Sequence, residues 1–189
     1  MRKTSKNKKI SKSLLSKLAM LRKKIRKMDS ALVAFSGGVD SSFLLRICRE
    51  ELGEQAVAVT SLSHVYPQSE LLMARRVARL LGASHVVLAP EENSDENEEE
   101  IPMDSGTYTN LKGLAMRMQL KNVIDASHKD DFDSRSKSLL AARRAGVKSP
   151  LLECGITKAE INLLAKEFSI DSKTKKLSKL KTTKKSKRN

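Results

Sequence analysis

The 189-residue chain has no tryptophan, two tyrosines and four phenylalanines, so aromatic residues make up only 3% of it. A core must then be built from Leu, Ile, Val, Ala and Met, which suits a sheet covered by helices. The same scarcity argues against rows of stacking platforms for single-stranded nucleic acid. Only two cysteines are present, Cys48 and Cys154. They exclude a disulfide framework, cannot by themselves complete a four-ligand zinc site, and fit a reducing, cytoplasmic compartment. No run of about 18 apolar residues occurs and no continuous apolar stretch follows the basic start, so neither a membrane span nor a secretory signal is expected.

What is abundant is positive charge: 37 Lys/Arg against 22 Asp/Glu, a formal net charge of +15. It is unevenly placed. Residues 1–27 hold 12 Lys/Arg and no acid, residues 173–189 hold 9 and no acid, and residues 28–172 carry a net charge of −6. The basicity therefore belongs to the two ends, and the high pI is weak evidence for a nucleic-acid groove inside the domain. Residues 1–13 are expected to form a loose basic N-terminus. Residues 171–189, Lys-rich and poor in apolar groups, are expected to be a disordered tail, because burial cannot repay the chain entropy. Such ends could touch RNA or an acidic surface through salt-sensitive contacts, although a solvated tail is the plainer reading.

Between the ends, residues 14–170 read as one α/β domain. Leu14, Leu18, Leu21, Ile25 and Met28 recur at helical spacing, which predicts an amphipathic helix; a basic, acid-free targeting peptide is the second reading. Strands are expected at Ala31–Phe35, Ala56–Leu62, Ser84–Ala89 and Asn122–Ala126, with helices between them and an extended Ser149–Glu153. Strands separated by helices imply parallel pairing and right-handed crossovers, hence a doubly wound, mostly parallel sheet with helices on both faces. Residues 91–104 carry eight acids among Asn, Ser and Pro, and are expected to be a flexible loop, because the alternation and central glycine of an EF-hand loop are absent.

The chemistry points to Ser36-Gly37-Gly38-Val39-Asp40-Ser41-Ser42, placed between a buried strand and a helix. Glycines allow close backbone approach to a phosphate, and Ser36, Ser41 and Ser42 add hydroxyls at the positive end of the helix dipole. The string suits a pyrophosphate. It is not a Walker loop, since no Gly-Lys-Ser/Thr follows, nor a Gly-x-Gly-x-x-Gly fingerprint. Asp40, acidic where an anion should bind, makes sense as a ligand for Mg²⁺ or as an anchor of the loop. Asp130 and Asp131, beside His128 after the fourth strand, read equally well as a second Mg²⁺ anchor or as helix-capping acids. His64 reads as loop and His85 as strand. Both cysteines read as small buried hydrophobes.

Ser36-Gly37-Gly38-Val39-Asp40-Ser41-Ser42 resembles the PP-loop of the ATP pyrophosphatases. The resemblance implies an adenine nucleotide alpha hydrolase-like (HUP-type) fold, ATP and Mg²⁺, and adenylation of a substrate oxygen with release of pyrophosphate. In these terms Ser36 and Asp40 are the catalytic candidates, residues 36–42 hold the phosphates, and Val59, Thr60 and Ser61 meet the adenosine. A narrower resemblance covers about residues 14–170. Val59-Thr60 with Tyr66-Pro67 and Glu70, Asn122-Val123-Ile124-Asp125, Asp130-Asp131 and the long string Gly146 to Ile161 are similar to the LarE-type ATP-dependent sacrificial sulfur transferases. These activate a carboxylate of a pyridinium dicarboxylate mononucleotide.

The family usually has Cys-x-x-Cys just before the helix that starts near Tyr108, where this chain reads Asp104-Ser105-Gly106-Thr107. No cysteine occupies the donor position, so the resemblance carries nucleotide chemistry and leaves sulfur donation without its donor. Two other readings stand beside it: a tRNA-modifying or nucleic-acid-binding relative that uses its basic ends, and a catalytically silent interaction module. Homo-oligomerisation is an open alternative in each.

Overall fold

Ala31, Leu32 and Val33 are buried, because the strand they form has neighbours on both sides and helices on both faces. The computed structural model describes residues 10–62, 67–89, 105–132 and 137–170. Among these, β1 (Ala31–Ala34), β2 (Ala56–Ser61), β3 (Ser84–Leu88) and β4 (Asn122–Ile124) make one parallel sheet in the order β3-β2-β1-β4. The pairing aligns Leu32 with both Val57 and Val123. An isolated parallel bridge from Ile124 to Lys148 extends the pairing beyond β4.

Alternation along the strands sorts the core into two layers. Ala31, Val33, Ala56, Ala58 and Ile124 face α1 (Lys12–Arg26), α2 (Val39–Leu52), α3 (Gln68–Leu80), the single-turn α6 (Pro150–Glu153) and α7 (Lys158–Glu167). Leu32, Val57, Val59 and Val123 face α4 (Ser105–Arg117) and α5 (Lys137–Arg144). The expected doubly wound arrangement is thus present. The sequence-based boundaries run one or two residues long at most strand ends. Ser149–Glu153, expected to be extended, becomes the one-turn α6, because Pro150 sits at the first helical position, where its missing N–H costs nothing.

α1 begins at Ser11, whose hydroxyl accepts the N–H of Leu14, and buries Leu14, Leu21 and Ile25. Ion pairs hold its polar side to the core elements: Lys17 to Glu160, Arg22 to Glu50 and Glu51, Lys24 to Glu153, and Arg26 to Glu51. Four cations of the N-terminal basic run are therefore neutralised within the fold. No helix among the described residues is long and apolar enough to cross a membrane. The acidic run 91–104, the two chain ends beyond residues 10 and 170, and His64 lie outside the described residues.

Phe43 is completely buried on α2 and tilted against Phe168, with ring centroids 6.0 Å apart. Phe43→Ala is expected to lower stability by about 3–5 kcal/mol in urea denaturation. Met116→Ala, at a side chain 76% exposed, is expected to change it by less than about 0.5 kcal/mol.

Candidate functional site

β1 lies at the reversal of strand order, with β2 and β3 on one side and β4 on the other. In an open parallel sheet this is where a crevice opens beyond the carboxyl ends of the strands. The chain leaving β1 enters it at once. Phe35 is still tied to the sheet, its N–H donating to Val59 O at 2.8 Å. Gly37 then turns with φ +79°, and a Cβ there would stand 2.8 Å from Cα of Ala74 on α3. Only glycine satisfies both the backbone angle and that approach. Gly38 is the N-cap of α2, with no side-chain cap. The N–H groups of Val39, Asp40 and Ser41 thus open the helix without intrahelical acceptors.

Two serines close the loop on itself. Ser36 Oγ accepts from Gly38 N–H at 3.3 Å and lies 3.2 Å from Ser41 Oγ, which donates to Gly38 O at 3.3 Å. Ser36 is exposed, Val39 half-buried and Ser41 buried. Asp40 Oδ1 and the hydroxyl of Ser42 are buried with no hydrogen-bond partner. The other carboxylate oxygen of Asp40 is paired with Lys158, the first residue of α7. Sequence reasoning missed Lys158. A signal did exist: a cation at the first position of a helix stands against the macrodipole, and a local rule broken beside a binding loop calls for a tertiary reason.

The segment after β4 forms the other wall. It is tied to residues 148–158 at successive points: Asp125 N–H to Lys148 O at 3.0 Å, Leu152 N–H to Ser127 O at 3.0 Å, and Lys129 N–H to Ile156 O at 2.8 Å. Asp130 adds a fourth tie, accepting from Lys158 N–H at 2.7 Å. Asp131 accepts from His128 N–H at 2.8 Å and lies 3.2 Å from Nδ1 of its ring. Asp130 and Asp40 therefore meet at Lys158, one at its backbone and one at its ammonium, while Asp131 turns to His128. Among the described residues no group of three or more His, Cys, Asp and Glu has the arrangement of a metal site. Asp125 is buried, which pushes its carboxyl up, and one of its oxygens accepts Ser127 N–H at 3.1 Å.

On the β2 side, the Val59 side chain is buried in the layer under α4 and α5, and Ser61 is half-buried at the strand end. The Thr60 hydroxyl is committed: it donates to Phe35 O at 2.6 Å and lies 2.8 Å from His85 Nε2. Since a hydroxyl has one proton and a carbonyl can only accept, His85 must present Nε2–H to Thr60. The ring of Phe35 meets His85 edge-on, with centroids 5.8 Å apart. Thr60 thus fixes the residue from which the glycine loop departs.

Residues 20–116 match the family model described as asparagine synthase. The chain belongs to this family of PP-loop ATP pyrophosphatases. Among curated relatives it is 32% identical over 158 residues to an uncharacterized protein of Synechocystis sp., covering 80% of this chain and 59% of that one. It is 28% identical over 165 residues to the pyridinium-3,5-bisthiocarboxylic acid mononucleotide synthase of Lactiplantibacillus plantarum, covering 84% and 60%. The chain thus spans about three-fifths of the length of the curated relatives it matches. In fold it is similar to NMN synthetase from Francisella tularensis (TM-score 0.62, 14% identity, 86% of this chain and 72% of that one). It is similar also to the U34-tRNA thiolase of Methanococcus maripaludis (TM-score 0.56, 14% identity, 88% and 72%). As a PP-loop domain, the chain places its loop where the strand order reverses.

His85 titrates below its ordinary 6.5, first because it is partly buried and then because of Arg75. Unfolding lets it gain a proton between the folded value and 6.5, so stability should fall as pH drops through that window and level off below it. His85→Gln, which keeps an N–H for Thr60, should remove this dependence in urea titrations. Thr60→Val should cost about 1–3 kcal/mol by leaving Phe35 O without its donor, and Thr60→Ser should recover most of it.

Proposed function

We propose that this domain binds ATP with Mg²⁺ at the loop Ser36–Ser42 and adenylates an acceptor oxygen, releasing pyrophosphate. The observation that carries the reading is the pair of buried, unpartnered oxygens, Asp40 Oδ1 and Ser42 Oγ, beside the open amides of α2. A carboxylate oxygen suits Mg²⁺, and a hydroxyl with N–H groups suits phosphate. Asp40 would hold the ion, which supplies neutralisation of phosphate charge when bound. Ser36, Gly37, Gly38, Val39, Ser41 and Ser42 would hold the phosphates through backbone N–H and hydroxyl groups. Lys158 keeps a cation at the same place. Val59, Thr60 and Ser61 would border the adenosine, Val59 through its backbone and Thr60 by fixing the loop.

In the reaction the acceptor oxygen attacks the α-phosphorus, the bond to the bridging oxygen breaks, and the electron pair leaves on pyrophosphate. Donors already in place where that charge gathers lower the barrier without reorganisation. The acceptor we propose is a carboxylate on a pyridinium mononucleotide, supported by the relative from Lactiplantibacillus plantarum. Sulfur donation from Cys48 or Cys154 is not part of the proposal. Both are buried, and burial raises both thiols above their ordinary value, which keeps the nucleophilic thiolate scarce.

Equilibrium binding of labelled ATP with Mg²⁺ is the test. Wild type is expected to bind in the micromolar range, roughly −6 to −8 kcal/mol, and Gly38→Asp is expected to lose binding. That variant should still fold, because a Cβ at Gly38 meets only Ser36 Oγ, at 3.3 Å. Asp40→Asn should weaken the Mg²⁺-dependent part about tenfold or more, and Lys158→Ala should slow pyrophosphate release. A folded wild type that binds no ATP overturns the reading.

A further inference from the structure

The two faces of the sheet carry their charge differently. On the α1 face four cations are paired with Glu50, Glu51, Glu153 and Glu160, while Lys23 and the α3 arginines Arg75, Arg76 and Arg79 are exposed without an ion pair among the described residues. On the opposite face, residues 105–121 and 137–148, which are α4, α5 and the turns that follow them, contain seven Lys/Arg and no Asp or Glu. Lys121 is paired with Asp29, and Lys148 donates to Asn122. Lys112, Arg117, Arg143 and Arg144 are exposed. Among the described residues none of the four has an ion-pair partner. α4 packs on α5, and Lys112 Nζ lies only 3.3 Å from where a Cβ on Gly146 would stand. Lys112 therefore stands beside the end of α5 that carries Arg143 and Arg144, and Arg117 follows it on α4. Arg117, Arg143 and Arg144 sit in last turns, where a helix dipole favours cations. That accounts for their tolerance locally, but not for Lys112 or for the exclusion of every acid from both helices.

A second feature adjoins this surface. Phe132, 55% exposed, has the guanidinium of Arg143 over its ring at 5.5 Å. The two line a groove of about 270 Å³ together with Val147, Ser149, Leu152 and Glu153. That is smaller than the roughly 300–1,000 Å³ of sites for drug-sized ligands, and suits one flat ring. Phe132 is two residues from Asp130, whose carboxylate caps Lys158, the partner of Asp40.

We propose that the α4–α5 face binds single-stranded RNA, with phosphates on Lys112, Arg117 and Arg144 and one unpaired base against Phe132 and Arg143. Exposed cations without internal partners attract phosphate through counterion release, and an aromatic ring with a guanidinium plane is how an unpaired base is held. This goes beyond the nucleotide site and does not require it. The surface lies on α4 and α5, not on the lysine runs at the chain ends.

Fluorescence anisotropy of the full chain with a short labelled single-stranded RNA of mixed sequence tests it. The variant K112Q/R117Q/R143Q/R144Q is expected to bind at least about tenfold more weakly, and to flatten the log–log salt dependence by about 2 between roughly 50 and 200 mM salt. Its ATP binding and unfolding midpoint should match wild type. Phe132→Ala should weaken binding roughly tenfold with the salt slope unchanged, and R143K/R144K should keep the slope. Affinity of the quadruple variant within twofold of wild type overturns the proposal. So does a loss seen only when the lysines of 173–189 are changed to Gln, or equal affinity for duplex DNA with no effect of Phe132→Ala.

Discussion

The pairing of β1 with both β2 and β4 is the constraint from which the rest follows. It requires a strand buried on both faces, hence the unbroken apolar run Ala31–Val33, and it leaves the carboxyl end of β1 where neighbouring connections depart in opposite directions. The chain can continue there only through a tight turn. Gly37 supplies it, with a positive φ and a backbone within van der Waals reach of Ala74. α3 therefore fixes the loop from below, Thr60 fixes the carbonyl at its start, and α2 begins directly at its end.

Electrostatics gives the crevice its character. Most acids at this edge are occupied by backbone donors: Asp130 by Lys158 N–H, Asp131 by His128 N–H and Asp125 by Ser127 N–H. Asp40 differs. One of its oxygens is shared with an ammonium and the other is buried without a partner, an arrangement that is costly unless a ligand completes it. Exposed ion pairs contribute little to stability in water, so the pairs along α1 matter chiefly for the charge they remove. They leave the α4–α5 face, whose two helices contain no acid, with Lys112, Arg117, Arg143 and Arg144 unpaired among the described residues, as are Arg75, Arg76 and Arg79 on α3.

The string Gly146 to Ile161, the longest part of the likeness to the sulfur transferases, has a structural task beside any catalytic one. Through Lys148 O, Leu152 N–H, Ile156 O and Lys158 N–H it binds the segment after β4 at successive residues. It also delivers Lys158 to Asp40. A stretch that must meet so many backbone partners in order is closely specified.

Much of this was legible in one dimension, because local physics decides it. Apolar runs bounded by glycine and separated by helical periodicity could form only a parallel, helix-covered sheet. Two glycines followed by serines at a helix start mark a candidate anion site from the sequence alone. Other features were not legible, since they depend on which residues meet across the fold. Thr60 stands among the residues proposed to border the adenosine, but that its hydroxyl is held by Phe35 and His85 could be seen only in three dimensions. That Asp130 accepts the N–H of Lys158, far along the chain, was equally invisible in the sequence. Net charge summed along the sequence pointed to the chain ends, whereas packing pairs four of the six cations of α1 and leaves Lys112, Arg117, Arg143 and Arg144 without ion-pair partners among the described residues. Sequence alone determined the strands, the helices and the loop, whose causes lie within a few residues. Tertiary structure decided which charges and hydroxyls remain free, because a polar group's partner is set by distance in space.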